Sequence, residues 1–332
     1  MTSYTEQLTY IAVNRASTFI ETVCLVKFIM NRSKIQEFYS TLLKIQSDLL
    51  EACYENSKEK DIDMKGRVSK LKKTMGFILI ISFFGLVCTV SLHCGRALEA
   101  NFESKKVAIF FVLSVYWSIM YHFRLLTFYL WICTIMCFEI SFKALETLVR
   151  PRDVKKISAR STWIMKNYKR LEESLKEFHH LFGSQLLSIC SLFGLAVLNT
   201  SYELLKVLRT EELGCYDFLS AILAVFQLTL LSIAFFSLCN ASSEMTNQAT
   251  NCALDFRNIS VFSELRNDTY NEILLFYISA ISKPPRISPG NFFSLGRHIL
   301  PPVLGLMTTY LIVLQQFTLQ EESDRLRGEP SF

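Results

Sequence analysis

Apolar and polar residues along this chain are sorted into blocks rather than alternating residue by residue. Predominantly apolar runs occupy 74–95, 183–206, 217–239 and 295–319, each long enough at about 1.5 Å per residue to cross a hydrocarbon core of about 30 Å as a helix. A weaker candidate at 9–30 carries Asn14, Arg15, Glu21 and Lys27 among Ile11, Val13, Phe19, Val23 and Leu25. It reads equally as an amphipathic helix facing a bundle and as an interfacial or soluble helix. The apolar run 107–142 would be roughly 54 Å long as a helix, too long for one perpendicular crossing. It holds no Gly, Pro, Asn or Asp to make a tight turn, so one long tilted helix is predicted rather than a hairpin. Arg124 within it then lies in the bundle or snorkels to the interface.

The intervals differ in length and sign. Segment 31–73 is charged, with Ile35, Phe38, Leu42, Leu43, Ile45 and Leu49 near helical spacing, which predicts helix continuing beyond the membrane. Residues 96–106 and the acidic link around Glu211, Glu212 and Asp217 are short. Segment 143–182 is a strongly basic loop, helical around His179 and His180, with Pro151 as its one breaker. Segment 240–294 starts polar, becomes amphipathic at Ile273, Leu274, Leu275, Tyr277 and Ile278, and is broken by Pro284, Pro285, Pro289 and Gly290. The expected architecture is all-α and polytopic, a single transmembrane domain over 1–332 with about six spans.

Composition agrees with this class. The chain is 51% hydrophobic with 27 Phe against 11 Gly and 7 Pro, too apolar for an ordinary soluble domain. The net charge of +5 comes from basic residues gathered in two intervals, about ten Lys and Arg in 31–73 and about ten in 143–182, against about three in 96–106 and one in 208–216. Those two intervals are therefore expected inside the cell, and the C-terminal tail outside. Basic residues set out this way orient spans and offer no aromatic-interleaved groove for nucleic acid. Cysteine spacing suggests neither zinc nor redox chemistry; Cys94 and Cys215 fall at outer span ends, where a bridge or simple packing is open to them. His179 and His180 are adjacent but stand in no metal-ligand or catalytic motif, so neither an enzyme, a metal site nor a cofactor is expected.

The last span puts polar groups inside an apolar helix. Gly305, Thr309, Ile312 or Val313, and Gln316 recur at helical spacing, giving a small and polar stripe that suits a pore lining or a helix-packing seam. Thr309-Tyr310, five residues, then Gln316-Phe317 resembles the terminal signature of insect gustatory receptors, with Gln315 polar where that family has an aliphatic residue. The resemblance extends back to about Phe276 through the amphipathic helix, the Pro-containing bend and Arg297. It implies a seven-span chemoreceptor fold whose first span is missing here, and a ligand-gated nonselective cation channel in the plasma membrane. It also implies a homo- or hetero-tetramer with related receptors in which the last span lines the pore.

Small-molecule tastants and cations would be its partners, in a lipid setting. Ser114, Trp117, Tyr121, Asn199, Tyr202, Phe226 and Gln227 in the outer halves of three spans form an aromatic and amide set that suits a small organic ligand or ordinary packing. Glu321, Glu322 and Asp324 after the last span would ring an outer mouth. A G-protein-coupled receptor is the nearest rival, but Asp-Arg-Tyr and Asn-Pro-x-x-Tyr motifs are absent and the expected topology is inverted for that class. A secondary transporter would want broken spans with paired charges at mid-membrane.

Overall fold

Long stretches free of Pro and rich in Leu, Ile, Phe and Ala fold as unusually long helices in the computed structural model. It describes residues 19, 20, 22–56, 73, 76, 80, 83–85, 87, 91, 104–149, 154–209, 215–260 and 267–327. In chain order the helices are α1 (Arg32–Asn56), α2 (Ser104–Val149), α3 (Val154–Arg209), α4 (Cys215–Ser260), α5 (Asn267–Ser282) and α6 (Leu300–Arg327). Helical residues 22–30 lead into α1 through Asn31, whose amide bonds the Lys27 carbonyl while its own carbonyl accepts from Ile35. No strand occurs among the described residues.

Helices α2, α3 and α4 hold 46, 56 and 46 residues. At about 1.5 Å per residue each exceeds a roughly 30 Å hydrocarbon core about twofold or more. Three helical stretches among the described residues, Leu125–Val149, Arg160–Leu198 and Ala221–Arg257, are long and apolar enough to cross a membrane. The run 107–142 is one unbroken helix, as its lack of turn formers predicts.

The basic interval 143–182, expected as a loop that is helical around His179 and His180, is mostly helix and continuous with its neighbours: α2 runs on to Val149 and α3 begins at Val154. The first part of 240–294 is likewise a continuation of α4 to Ser260. The reason lies in an apolar stripe among the charges. Ile164, Tyr168, Leu171, Leu175, Phe178 and Phe182, spaced three or four apart, are all buried, while Glu172 and Lys176 pair at 2.9 Å on the exposed face.

Packing divides the molecule into two halves. The tight half joins α1, the second half of α2, the first part of α3, the second half of α4, and α5. Aromatic side chains tie these helices together: Phe38 of α1 lies 6.1 Å from Phe178 of α3, and Phe138 of α2 lies 6.4 Å from the same ring. Tyr168 contacts Phe142 at 5.2 Å and Phe276 at 5.0 Å, and Phe276 meets Phe256 at 4.9 Å. Aromatic contacts of this kind, mostly edge-to-face, add about 0.5–1.5 kcal/mol each beyond burial. Cys53 of α1 donates to the Ala144 carbonyl at 3.4 Å, and burial pushes its thiol up to about 11, so it packs as an inert small side chain.

The other half is looser. On α4, Phe218, Ile222, Val225, Phe226, Ile233 and Phe236 stand exposed along one side. An apolar stripe of that length is a surface for lipid, not water. One face of the first candidate span meets the bundle: Cys24 is buried, its carbonyl accepts from Gln185 Nε2 at 3.3 Å, and Thr22 hydrogen-bonds Tyr116 at 2.9 Å, while Phe19, Val23, Val26 and Ile29 are exposed.

Candidate functional site

The segment between α5 and α6 is where the chain reverses and launches its last helix. Helix α5 stops at Ser282, just before Pro284 and Pro285, since a residue preceding proline is pushed out of the helical region. A short turn at Pro289–Asn291 follows, in which Gly290 has φ +56° and Asn291 φ 62°, conformations suited to these two residue types. This turn lies on α3. The Ser288 amide donates to His179 Nε2 at 3.2 Å, and a β-carbon on Gly183 would stand 3.5 Å from the Gly290 nitrogen. The Leu295 amide closes the loop onto the Ile287 carbonyl at 2.7 Å.

The opposite side of the segment is held by α4. Ser242 Oγ donates to the Leu295 carbonyl at 2.8 Å, and the Arg297 amide donates to Ser243 Oγ at 2.9 Å. Arg297 Nε donates to Asn240 Oδ1 at 2.6 Å, and the guanidinium forms an ion pair with Glu244. Asn240, Ser243 and Glu244 follow i, i+3, i+4 spacing and so share one helix face. The ion pair is partly open to solvent, 56% for Arg297 and 35% for Glu244, so its contribution to stability is about 0–1 kcal/mol. Sequence reading singled out Arg297 but not its partners, whose only local trace is that spacing on α4.

From this base α6 rises with little of its surface covered. Met307 is buried, and Leu300 and Val303 are half-buried against the core. Met307 Cε reaches to 3.8 Å from where a β-carbon on Gly194 of α3 would be. Gly305, Thr309, Tyr310, Val313, Gln315 and Gln316 are all exposed. At about 100° per residue, Gly305 and Thr309 point roughly 160° away from Met307 and Gln316 roughly 180° away, whereas Gln315 is only about 80° from it. The small and polar stripe thus lies on the side of α6 opposite its own bundle. Thr309 Oγ1 donates to the Gly305 carbonyl at 2.9 Å, which leaves its oxygen free to accept on that same face.

The remaining sequence-predicted residues are distributed as follows. Ser114, Trp117 and Tyr121 belong to α2, and Asn199 and Tyr202 to α3, with side chains outside those described. Phe226 is exposed on α4, and the neighbouring Gln227 is half-buried. Phe317 and the acids Glu321, Glu322 and Asp324 are on α6, which continues helical to Arg327 rather than ending with the span; their side chains are outside those described. Cys94 lies outside the described residues, as does the Cys215 side chain. No group of three His, Cys, Asp or Glu among the described residues is placed to hold a metal ion.

A family profile described as 7tm chemosensory receptor matches residues 1–321. Gustatory receptor 23a of Drosophila melanogaster is 26% identical over 162 residues, 47% of this chain and 42% of that protein, so the match spans less than half of that curated relative. Among solved structures, the insect olfactory receptor OR5 from Machilis hrabei superposes with a TM-score of 0.69 at 17% identity, covering 93% of this chain and 82% of its own. The same receptor in complex with eugenol gives 0.61 at 16% identity over 92% and 80%. At these identities the likeness is one of fold.

Proposed function

The chain belongs to the 7tm chemosensory receptor family, and on that basis we propose that it is a gustatory-type receptor, a ligand-gated nonselective cation channel for small chemical tastants. The observation that carries this reading is the orientation of α6. Its Gly305, Thr309 and Gln316 stripe is exposed and turned opposite the Met307 contact with α3. Four copies around an axis, of one chain or of related receptors, would bring four such stripes together as a conduit. Threonine and glutamine oxygens there can replace part of a cation's hydration shell, while Gly305 lets neighbouring helices approach closely and Val313 narrows the lining. Tyr310 and Phe317 would secure the helix against its neighbours.

Ligand would enter the loosely packed half, where Phe226 and Gln227 lie on α4 with Ser114, Trp117 and Tyr121 on α2 and Asn199 and Tyr202 on α3. A mixed aromatic and amide lining suits small organic molecules. The charged end of the tight half faces the cytoplasm by the positive-inside rule. On this reading the C-terminal end of α6 lies outside the cell, with Glu321, Glu322 and Asp324 at the outer mouth.

The test is electrical. The chain is expressed in cells whose G-protein signalling is blocked, and whole-cell current is recorded during application of sucrose, fructose, caffeine and denatonium. A rapid cation current with reversal near zero supports the channel. Responses that vanish with the block while surface protein is unchanged support the G-protein-coupled alternative.

A further inference from the structure

The base of α6 is held by two different kinds of contact. Toward α3 the tether is apolar, through Leu300, Val303 and Met307. Toward α4 it is polar, and every bond converges on Leu295 and Arg297: Ser242 to the Leu295 carbonyl, Ser243 to the Arg297 amide, Asn240 and Glu244 to the guanidinium. The approach is close. A β-carbon on Gly296 would come within 3.0 Å of Ser243 Oγ, so the backbone lies directly on α4 there.

Helix α4 is unbroken from Cys215 to Ser260. Its loose half carries Phe226 and Gln227, and its tight half carries the Asn240–Glu244 face, about 20 Å further along at 1.5 Å per residue. A rigid helix transmits tilt or translation at one end to the other. A planar guanidinium held by two groups fixes direction as well as distance. The pair is also partly solvent-exposed, so it can break and re-form without disturbing the buried core.

We propose that Arg297 is a positioning residue for gating: its latch onto Asn240, Ser243 and Glu244 carries movement of α4 to the base of α6. This assignment rests on the channel reading of α6. Loss of the latch leaves folding and trafficking intact but uncouples ligand from current.

Glu244→Gln, Arg297→Gln and the charge-swapped Arg297→Glu/Glu244→Arg protein are compared with the parent, using whichever of sucrose, fructose, caffeine or denatonium evokes current from the parent. Each single variant is expected to lose at least tenfold in evoked current per surface receptor, and the swap to recover at least half. Singles that conduct like the parent, or a swap no better than the worse single, overturn the proposal. If the singles do not reach the surface, Asn240→Ala and Ser243→Ala replace them, with the same loss expected and parent-like current again overturning it. Amide hydrogen exchange over 295–300 in detergent-solubilised protein reads the latch without any current. Exchange at least fivefold faster in the singles, returning to the parent rate in the swap, is expected; unchanged rates overturn the latch. A parent that passes no current but shows this exchange pattern counts against the channel reading alone.

Discussion

Met307 ends 3.8 Å from the point where a β-carbon on Gly194 would stand, so α6 leans on α3 through a long side chain received by a residue that has none. That contact fixes the rotation of α6 about its axis, and with it the directions in which two neighbouring glutamines point.

Gln316 points roughly 180° from Met307 and Gln315 about 80°. Gln315→Leu is expected to be tolerated, because an interhelical hydrogen bond in a membrane protein averages only about 0.6 kcal/mol. Gln316→Leu is expected to reach the surface and conduct poorly, since removing the polar lining of a narrow conduit favours dewetting. Surface labelling with evoked current on both variants checks this; silence from Gln315→Leu beside normal current from Gln316→Leu would reverse the orientation.

Gly290 holds φ +56°, and a β-carbon there would meet Leu187 Cδ2 at 3.0 Å. Gly290→Ala should therefore destabilise the protein by about 1–2 kcal/mol and lower its melting temperature in detergent by a few degrees. Gly183→Ala is the control: its added carbon would sit 3.5 Å from the Gly290 nitrogen, an ordinary contact, and melting should stay within a degree or so of the parent.

The sequons at Asn31, Asn199, Asn240, Asn258 and Asn267 should all remain without sugar. On the proposed topology four fall on or near the cytoplasmic side and Asn199 lies too deep in its span for the transferase, while the Asn240 side chain is already engaged by Arg297. Glycosidase digestion should leave electrophoretic mobility unchanged. A shift that disappears in Asn258→Gln or Asn267→Gln would invert the topology.

Glu321, Glu322 and Asp324 extend α6 beyond the apolar run. Neutralising all three together should lower inward current by about twofold or more in low salt and much less in high salt, because ions screen a carboxylate ring over about 10 Å at 0.1 M. Equal currents at both ionic strengths would show the tail to be a solvated terminus without influence on permeation.

Much of this was legible in the sequence. The turn-free stretch 107–142 dictates a helix, because a buried backbone in lipid must satisfy its own hydrogen bonds; most of the run 74–95 lies outside the described residues. Pro284 and Pro285 set the end of α5 for an equally local reason. The stripe of Gly305, Thr309 and Gln316 is visible from periodicity alone. Segment 143–182 was harder, because its basic residues mask the buried row from Ile164 to Phe182; charge dominates composition, while packing follows the apolar face. What tertiary structure alone decided was direction and partnership. The stripe has a facing side only once Met307 is seen against Gly194, and Arg297 has partners only once α4 brings Asn240 and Glu244 beside it from 57 and 53 positions away. Periodicity records which residues share a helix face, but the neighbour that a face meets is chosen by the packing of helices far apart in the chain.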